Sequence, residues 1–170
     1  MPQALAPFHK TTIREGLPGV DDTLKMMRRL ILAGKVHPLV RQFAVRLVHD
    51  LPQMAYGAEA KRIHQFVRDQ IRYVQDPHNV EMLHAPEYIL ANGYGDCDDK
   101  TIIFCSLMES IGHPCKIVAV GNMPGICSHV YAETKIGNRW LTAECCPVNG
   151  ELWGLGRPPV NIRCRRTLLV

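Results

Sequence analysis

The two halves of the chain carry different hydrophobic patterns, and this order restricts the fold more than any other feature. In the first half, apolar residues recur at helical spacing in three segments, 23–34, 38–51 and 58–74. Asp21 and Asp22 precede the first segment and are typical of a helix start. Later come a short helical segment near 86–90, a longer one at 97–111, and then strand patterns. Helices followed by an antiparallel sheet indicate an α+β fold.

The strand patterns are KIVAVG, from Lys116, and HVYAETKIGNRWLTAE, from His129. The second reads as a hairpin with Gly137 and Asn138 as its two-residue loop. With 170 residues, 46% of them hydrophobic, the chain can bury one good core. We therefore expect a single domain at residues 58–170, preceded by a helical extension at residues 1–57.

Charge and hydropathy exclude several classes of protein. The formal net charge of +4 is too small to indicate nucleic-acid binding. No stretch approaches the roughly 18 apolar residues of a membrane span, and the N-terminus lacks a secretory signal pattern. We expect a soluble, cytoplasmic protein. Four late arginines predict a solvated tail, with a patch for an acidic partner as the alternative: Arg157, Arg163, Arg165 and Arg166.

The chain contains seven cysteines, an odd number. In a cytoplasmic protein such a set predicts reduced thiols rather than a disulfide framework. Most of them should be small buried apolar residues.

The segment GYGDCDDKT, residues 93–101, places one thiol among three carboxylates. If a helix begins at Cys97, the thiol lies in its first turn, where free N–H groups and the helix dipole favour a thiolate. Asp96 can cap this end, and Asp98 and Asp99 favour helix formation. Because their charges oppose the thiolate, a nearby histidine cation would be needed to favour ionisation.

His129 is the candidate for that histidine. A two-residue loop at Gly137 and Asn138 would place Glu144 opposite Tyr131 and therefore diagonal to His129 on the same sheet face. The three residues Cys97, His129 and Glu144 then form a set of nucleophile, general base and acid, and orienting carboxylate. A one-residue slip in register would separate His129 from Glu144.

At these residues the sequence resembles the transglutaminase-like family of papain-type thiol enzymes. The resemblance runs from about Ile71 to Pro147, through GYGDCDDKTIIFCSLMESIGHPCKIVAVG and SHVYAETKIGNRWLTAE. It implies a transglutaminase-like core with Cys97 and His129 as catalytic residues and Trp140 as the family's strand tryptophan. Glu144 stands where the family usually has an aspartate, and the "DPT" that often follows is absent.

The resemblance implies thiol-dependent acyl transfer, for which we favour hydrolysis of a peptide or amide bond over crosslinking. The implied partner is a peptide or protein substrate, which includes cell-wall peptide. The upstream TTIREGLPGVDDTLKMMRRLI resembles the leader of transglutaminase-like proteins encoded near phage structural genes. That implies a virion or tail association, and as an alternative function a structural component with weak or lost activity.

A zinc site is the alternative use of the cysteines and the histidine near the hairpin. Zinc could use Cys127, His129, Cys145 and Cys146, but their spacing lacks paired C-x₂-C knuckles, so we expect no metal and no cofactor. Four histidines have no partner pattern and are predicted to be surface or loop residues: His64, His78, His84 and His113.

Overall fold

The computed structural model describes residues 12–77, 80–148, 151–152, 155–157 and 159–170, with 147–148 and 151–152 described through their backbone alone. The helices are α1 (Gly16–Gly34), α2 (Pro38–Val48), α3 (Tyr56–Gln70), α4 (Pro86–Asn92) and α5 (Cys97–Ser110). The strands are β1 (Arg72–Tyr73), β2 (Tyr94–Gly95), β3 (Cys115–Gly121), β4 (His129–Ile136), β5 (Arg139–Ala143), β6 (Pro147–Val148), β7 (Glu151–Leu152) and β8 (Cys164–Leu169). This mixture of helices with an antiparallel sheet confirms the α+β prediction.

Helix α5 lies at the centre of the structure. Nearly all of its residues after Cys97 are buried, because α1 to α4 pack around it on one side and the sheet packs on the other. The apolar run TIIFCSLM supplies the central contacts of one continuous core. Leu24, Met27 and Ile31 of α1 join that same core, so the amphipathic first helix covers α5.

The main sheet has the strand order β5-β4-β3-β8, with every neighbouring pair antiparallel. The hairpin between β4 and β5 has the predicted register, with Ile136 opposite Arg139 across the Gly137–Asn138 loop. Gly137 has a φ of +59°, which glycine adopts without strain. Trp140, on β5, packs against the ammonium group of Lys116, which lies 3.7 Å from its ring centroid.

The predicted solvated arginine tail is wrong for the last residues of the chain. Arg165 and Arg166 lie on β8, which pairs with β3 along the sheet edge. Alternate residues of an edge strand can carry charge without loss of pairing, so the arginines did not prevent a strand. Arg165 forms an ion pair with Glu133 at 2.8 Å, and Arg166 lies 3.6 Å from Asp21.

The first helix begins earlier than predicted, at Gly16 rather than after Asp22. Asp21 and Asp22 lie inside α1 and pair with arginines instead of capping it. Arg14 donates to both carboxylate oxygens of Asp22, each at 2.7 Å. The sequence shows acidic residues near a helix start but does not show these long-range partners.

The prediction that all cysteines are reduced is wrong for two of them. Cys127 and Cys164 form a disulfide with a Cα–Cα distance of 5.4 Å, within the usual range for such a bridge. The β3–β8 register places Cys164 beside Gly121. The loop after β3 folds back, so that Ile126 and Cys127 also lie against Gly121. The disulfide therefore depends on the edge strand β8, which the sequence pattern did not indicate.

Within the described residues, no helix is both long enough and apolar enough to cross a membrane.

Close helix packing at Gly34 generates the first prediction. A Cβ atom there would lie 2.5 Å from Pro86 Cγ and 2.8 Å from Ser106 Oγ, whereas one at Gly57 would meet nothing within 4 Å. Gly34→Ala should lower the free energy of unfolding by roughly 1–3 kcal/mol through overpacking. Gly57→Ala, on an exposed turn of α3, should leave it unchanged or raise it by up to about 1 kcal/mol. Urea denaturation of both variants measures the difference, and equal stabilities would contradict the described packing of α1 on α4 and α5.

Candidate active site

Cys97 is the first residue of α5, and Asp96 caps this helix as the sequence predicted. The Asp96 carboxylate accepts hydrogen bonds from the backbone N–H groups of Asp98 at 3.0 Å and Asp99 at 3.4 Å. The Cys97 side chain is partly exposed, and the backbone N–H of Val130 donates to its sulfur. The thiol therefore lies against the start of β4, next to His129.

The electrostatic surroundings of Cys97 oppose its ionisation. Burial raises the pKa of the thiol far above its ordinary value, and the nearby Asp98 and Asp96 carboxylates raise it further. The hydrogen bond from Val130 acts in the opposite direction and is the smaller effect. In this arrangement the thiol is neutral at neutral pH, as expected when no cation offsets the carboxylates.

His129 and Glu144 lie together, as the hairpin register predicted. Their side chains meet with His129 Nε2 and Glu144 Oε2 separated by 2.6 Å. The Glu144 side chain is 1% exposed, while that of His129 is 26% exposed. The other oxygen of Glu144 accepts a hydrogen bond from the Cys146 backbone N–H at 2.9 Å. Both carboxylate oxygens are thus engaged, and the longer glutamate side chain still reaches the imidazole ring.

Of the four histidines predicted to be surface or loop residues, His64 contradicts the prediction, His84 and His113 lie in loops as predicted, and His78 lies outside the described residues. His64 is fully buried on α3, and its Nε2 donates to the backbone carbonyl of Glu144 at 2.7 Å. His113 is buried against the Glu59 carboxylate at 2.6 Å. His84 bonds to Asp99 at 2.8 Å and stacks on Tyr88. Each has a partner distant in sequence, so sequence spacing gave no sign of it.

Two of the three aspartates around Cys97, Asp98 and Asp99, connect α5 to residues 74–85, the segment that precedes α4. Asp99 accepts from both the backbone N–H and the ring of His84. The Asp98 carboxyl bonds to Glu81, and burial raises its pKa well above the ordinary value. These carboxylates therefore anchor a neighbouring loop to the start of the helix.

Tyr73 is a site residue that sequence reasoning missed. It pairs with Gly95 in the small parallel β1–β2 sheet. Gly95 precedes Cys97 by two residues, so Tyr73 lies beside the start of α5. Burial raises the pKa of Tyr73 to about 12, with the charges of Cys97 and Cys146 as further causes. The phenol is therefore a neutral O–H group close to the thiol. The sequence pattern placed Tyr73 inside the third helical segment, 58–74, whereas α3 ends at Gln70, so no signal in the sequence pointed to this residue.

Two groups of side chains bring possible metal ligands within 4.8 Å of one another: Asp76, Glu81 and Asp96, and Asp96, Cys97 and Asp98. The first group offers only oxygen ligands, which suit a hard cation such as Ca²⁺ or Mg²⁺. The zinc set considered from the sequence is not assembled, because the sulfur of Cys127 is bonded to Cys164.

Residues 41–145 match the model of the transglutaminase-like superfamily, which is more than half of the chain. The protein therefore belongs to the transglutaminase-like superfamily. No curated protein matches the chain in sequence.

Several solved structures share the fold. A proposed protease from Parabacteroides distasonis has a TM-score of 0.59 at 12% identity, over 74% of this chain and 26% of that one. A proposed cysteine protease from Cytophaga hutchinsonii has a TM-score of 0.52 at 13% identity, over 76% and 45%. LapG of Legionella pneumophila has a TM-score of 0.50 at 16% identity, over 72% and 70%. The chain spans less than half the length of the first two proteins.

The buried carboxyl of Asp96 generates a prediction about pH. Burial and the charges of Asp76 and Asp99 raise its pKa to about 7, above the unfolded value of about 3.9. The folded state therefore holds the proton more tightly, and Asp96 makes stability fall as pH rises from about 4 through about 7. Asp96→Asn keeps the helix cap and removes this titration.

Urea midpoints of both proteins between pH 5 and pH 8 measure the effect. The variant should gain stability relative to the wild type as pH rises, because the titrations of other groups cancel in the difference. A difference that stays constant with pH would contradict the described burial of the Asp96 carboxyl.

Proposed function

We propose that this protein is a thiol-dependent acyl-transfer enzyme that hydrolyses a peptide or amide bond, with Cys97, His129 and Glu144 as its catalytic triad. The observation that carries the proposal is the buried contact between Glu144 and His129 at 2.6 Å, next to the thiol at the start of α5. Membership of the transglutaminase-like superfamily and the likeness to proposed cysteine proteases support the same chemistry.

In the proposed mechanism, Glu144 holds the imidazole of His129 through Nε2, which leaves Nδ1 as the ring nitrogen that takes the thiol proton. The sulfur of Cys97 then attacks the substrate carbonyl. The imidazolium formed on His129 is stabilised by the buried carboxylate and returns the proton to the leaving amine. Since the resting thiol is neutral, proton transfer accompanies attack rather than preceding it.

Two donors are available for the oxyanion of the tetrahedral intermediate. The first is the Cys97 backbone N–H, which makes no hydrogen bond to the described residues. The N–H groups of Asp98 and Asp99, in contrast, donate to the Asp96 carboxylate. The hydroxyl of Tyr73 is the second donor, since a phenol is protonated at neutral pH. Donors fixed before the reaction are the most effective ones for such a charge.

Attack on a peptide bond releases an amine and leaves an acyl thioester on Cys97. Water then adds to the thioester carbonyl and displaces the thiol, giving a carboxylic acid and the free enzyme. A primary amine in place of water would give an isopeptide bond. We favour hydrolysis, because water is abundant.

The substrate proposed is a peptide or protein, with cell-wall peptide as one source. We further propose that residues 58–170 form the catalytic domain and that residues 1–57 are an accessory layer on it. Association with a virion or tail protein and a cytoplasmic site of synthesis remain proposals drawn from the sequence.

The second candidate function is a structural or partner-binding component on the same scaffold with weak or lost activity. The strongly raised pKa of Cys97, caused by burial and neighbouring carboxylates, favours this candidate. The His129–Glu144 contact favours the enzyme, because a purely structural scaffold has no need for a buried carboxylate on a partly exposed imidazole.

Peptide hydrolysis tests the proposal directly. Wild type should cut a proteome-derived peptide library, with new termini read by mass spectrometry. Cys97→Ala should abolish cutting, and Glu144→Gln should reduce kcat by about 10²-fold or more, since the imidazole loses its orienting charge. Cys105→Ala, a buried cysteine on the same helix, serves as the matched control and should keep its activity.

A fluorescent primary amine added to the same reactions distinguishes water from an amine as acceptor. Hydrolysis predicts new carboxyl termini without incorporation of the amine. Cutting that persists in Cys97→Ala, or no reaction of either kind in a folded wild type, would contradict the enzyme and leave the structural candidate.

A further inference from the structure

Two buried side chains from the helices hold the backbone that carries Glu144. Glu144 is the first residue after β5, so the strand ladder no longer fixes its carbonyl. That carbonyl accepts a hydrogen bond from His64 Nε2 at 2.7 Å. The next carbonyl, that of Cys145, accepts one from Lys100 Nζ at 3.1 Å. Consecutive carbonyls are thus held by α3 and by α5.

Lys100 has no acidic side chain within ion-pair distance among the described residues, although it is 2% exposed. Its ammonium group donates to two backbone carbonyls, those of Arg68 at 3.2 Å and Cys145. Burial of the ammonium group lowers the pKa of Lys100. A buried ammonium without a carboxylate partner is costly, and an apolar side chain would fill the space at lower cost. The hydrogen bonds therefore point to a role beyond packing.

His64 is also almost fully buried, at 1% exposure. Burial lowers its pKa, so the ring is neutral at neutral pH. A neutral imidazole carries one N–H, and a carbonyl oxygen can only accept, so the Glu144 contact assigns the proton to Nε2. His64 therefore acts as a fixed donor and not as an acid or base.

We infer that His64 and Lys100 are positioning residues, which fix the backbone of Glu144 and Cys145 and thereby hold the Glu144 carboxylate against His129. This inference rests on the proposed function. The Glu144 side chain is 1% exposed and both of its carboxylate oxygens are hydrogen-bonded, so it has little freedom to compensate for a shift in its backbone. A misplacement of about 1 Å in a catalytic group can reduce the rate by about 10²-fold.

The test compares three substitutions: His64→Leu, which removes the donor, His64→Gln, which keeps a donor at the position of Nε2, and Lys100→Met, which removes the ammonium at similar length. We expect kcat for peptide hydrolysis to fall by about 10²-fold in His64→Leu and Lys100→Met with little change in KM. His64→Gln should recover most of the activity. His113→Leu removes another buried, hydrogen-bonded histidine and is the matched control, which should keep full kcat.

A second readout needs no substrate. Long-range ¹H–¹⁵N NMR spectra of the imidazole rings show which nitrogen of neutral His129 carries the proton. The Glu144 contact predicts the Nε2–H form in the wild type. His64→Leu and Lys100→Met should give a mixture of the two forms, whereas His64→Gln and His113→Leu should match the wild type. Circular dichroism and urea unfolding establish that each variant is folded.

Unchanged kcat together with an unchanged His129 ring form in folded Lys100→Met and His64→Leu would overturn the inference. A changed ring form in these variants supports it even if the wild type cuts no peptide, in which case the proposed function alone fails. Replacing a buried charge with an apolar side chain is often neutral or stabilising, so Lys100→Met should fold. It therefore tests the inference even if His64→Leu does not fold.

Discussion

The burial of α5 on almost every side fixes the position of the thiol. Helices α1 to α4 and the sheet all pack against α5, so Cys97 at its first position cannot move without disturbing the core. The start of β4 lies against the same helix end, where the Val130 N–H meets the sulfur. The backbone beside His129 is therefore brought to the Cys97 sulfur by core packing, not by a local motif.

The acidic residues around Cys97 have structural roles that explain their presence beside a thiol. Asp96 caps α5, Asp98 bonds to Glu81, and Asp99 holds His84. Asp98 and Asp99 attach the loop before α4 to the start of the helix. The nearby Asp98 and Asp96 also raise the pKa of the Cys97 thiol. In the proposed mechanism His129 offsets this effect, because it removes the proton as the sulfur attacks.

The sequence predicted the features that depend on short-range patterns. The hairpin loop at Gly137 and Asn138 determines the register, and the register brings Glu144 to His129. The Asp96 cap and the helix after it were also predictable from local residue types. The superfamily match confirms the resemblance first seen in the segments around Cys97 and His129.

Features that depend on distant parts of the chain were not predictable. Strand β8 carries exposed arginines, so its residue pattern did not indicate a strand that pairs with β3. Because β8 was not predicted, the sequence offered no reason to pair Cys127 with Cys164. His64 and Lys100 lie on helices far in sequence from Glu144, and they hold the segment of Glu144 and Cys145 through its backbone carbonyls. Backbone acceptors leave no residue-type signal, so these contacts become visible only in three dimensions.

The central claim is that His129 takes the proton from Cys97, and site-resolved alkylation tests it most directly. The rate of iodoacetamide modification at each cysteine is measured against pH by peptide mass spectrometry, in wild type and His129→Ala. Cys97 is the most accessible of the five free cysteines, so its rank alone decides little, and the dependence on His129 is decisive. Because the resting thiol is neutral, the account predicts that His129 removes its proton as the sulfur attacks the reagent, so the Cys97 rate near neutral pH falls several-fold in His129→Ala. A Cys97 rate that is the same in both proteins would contradict the account.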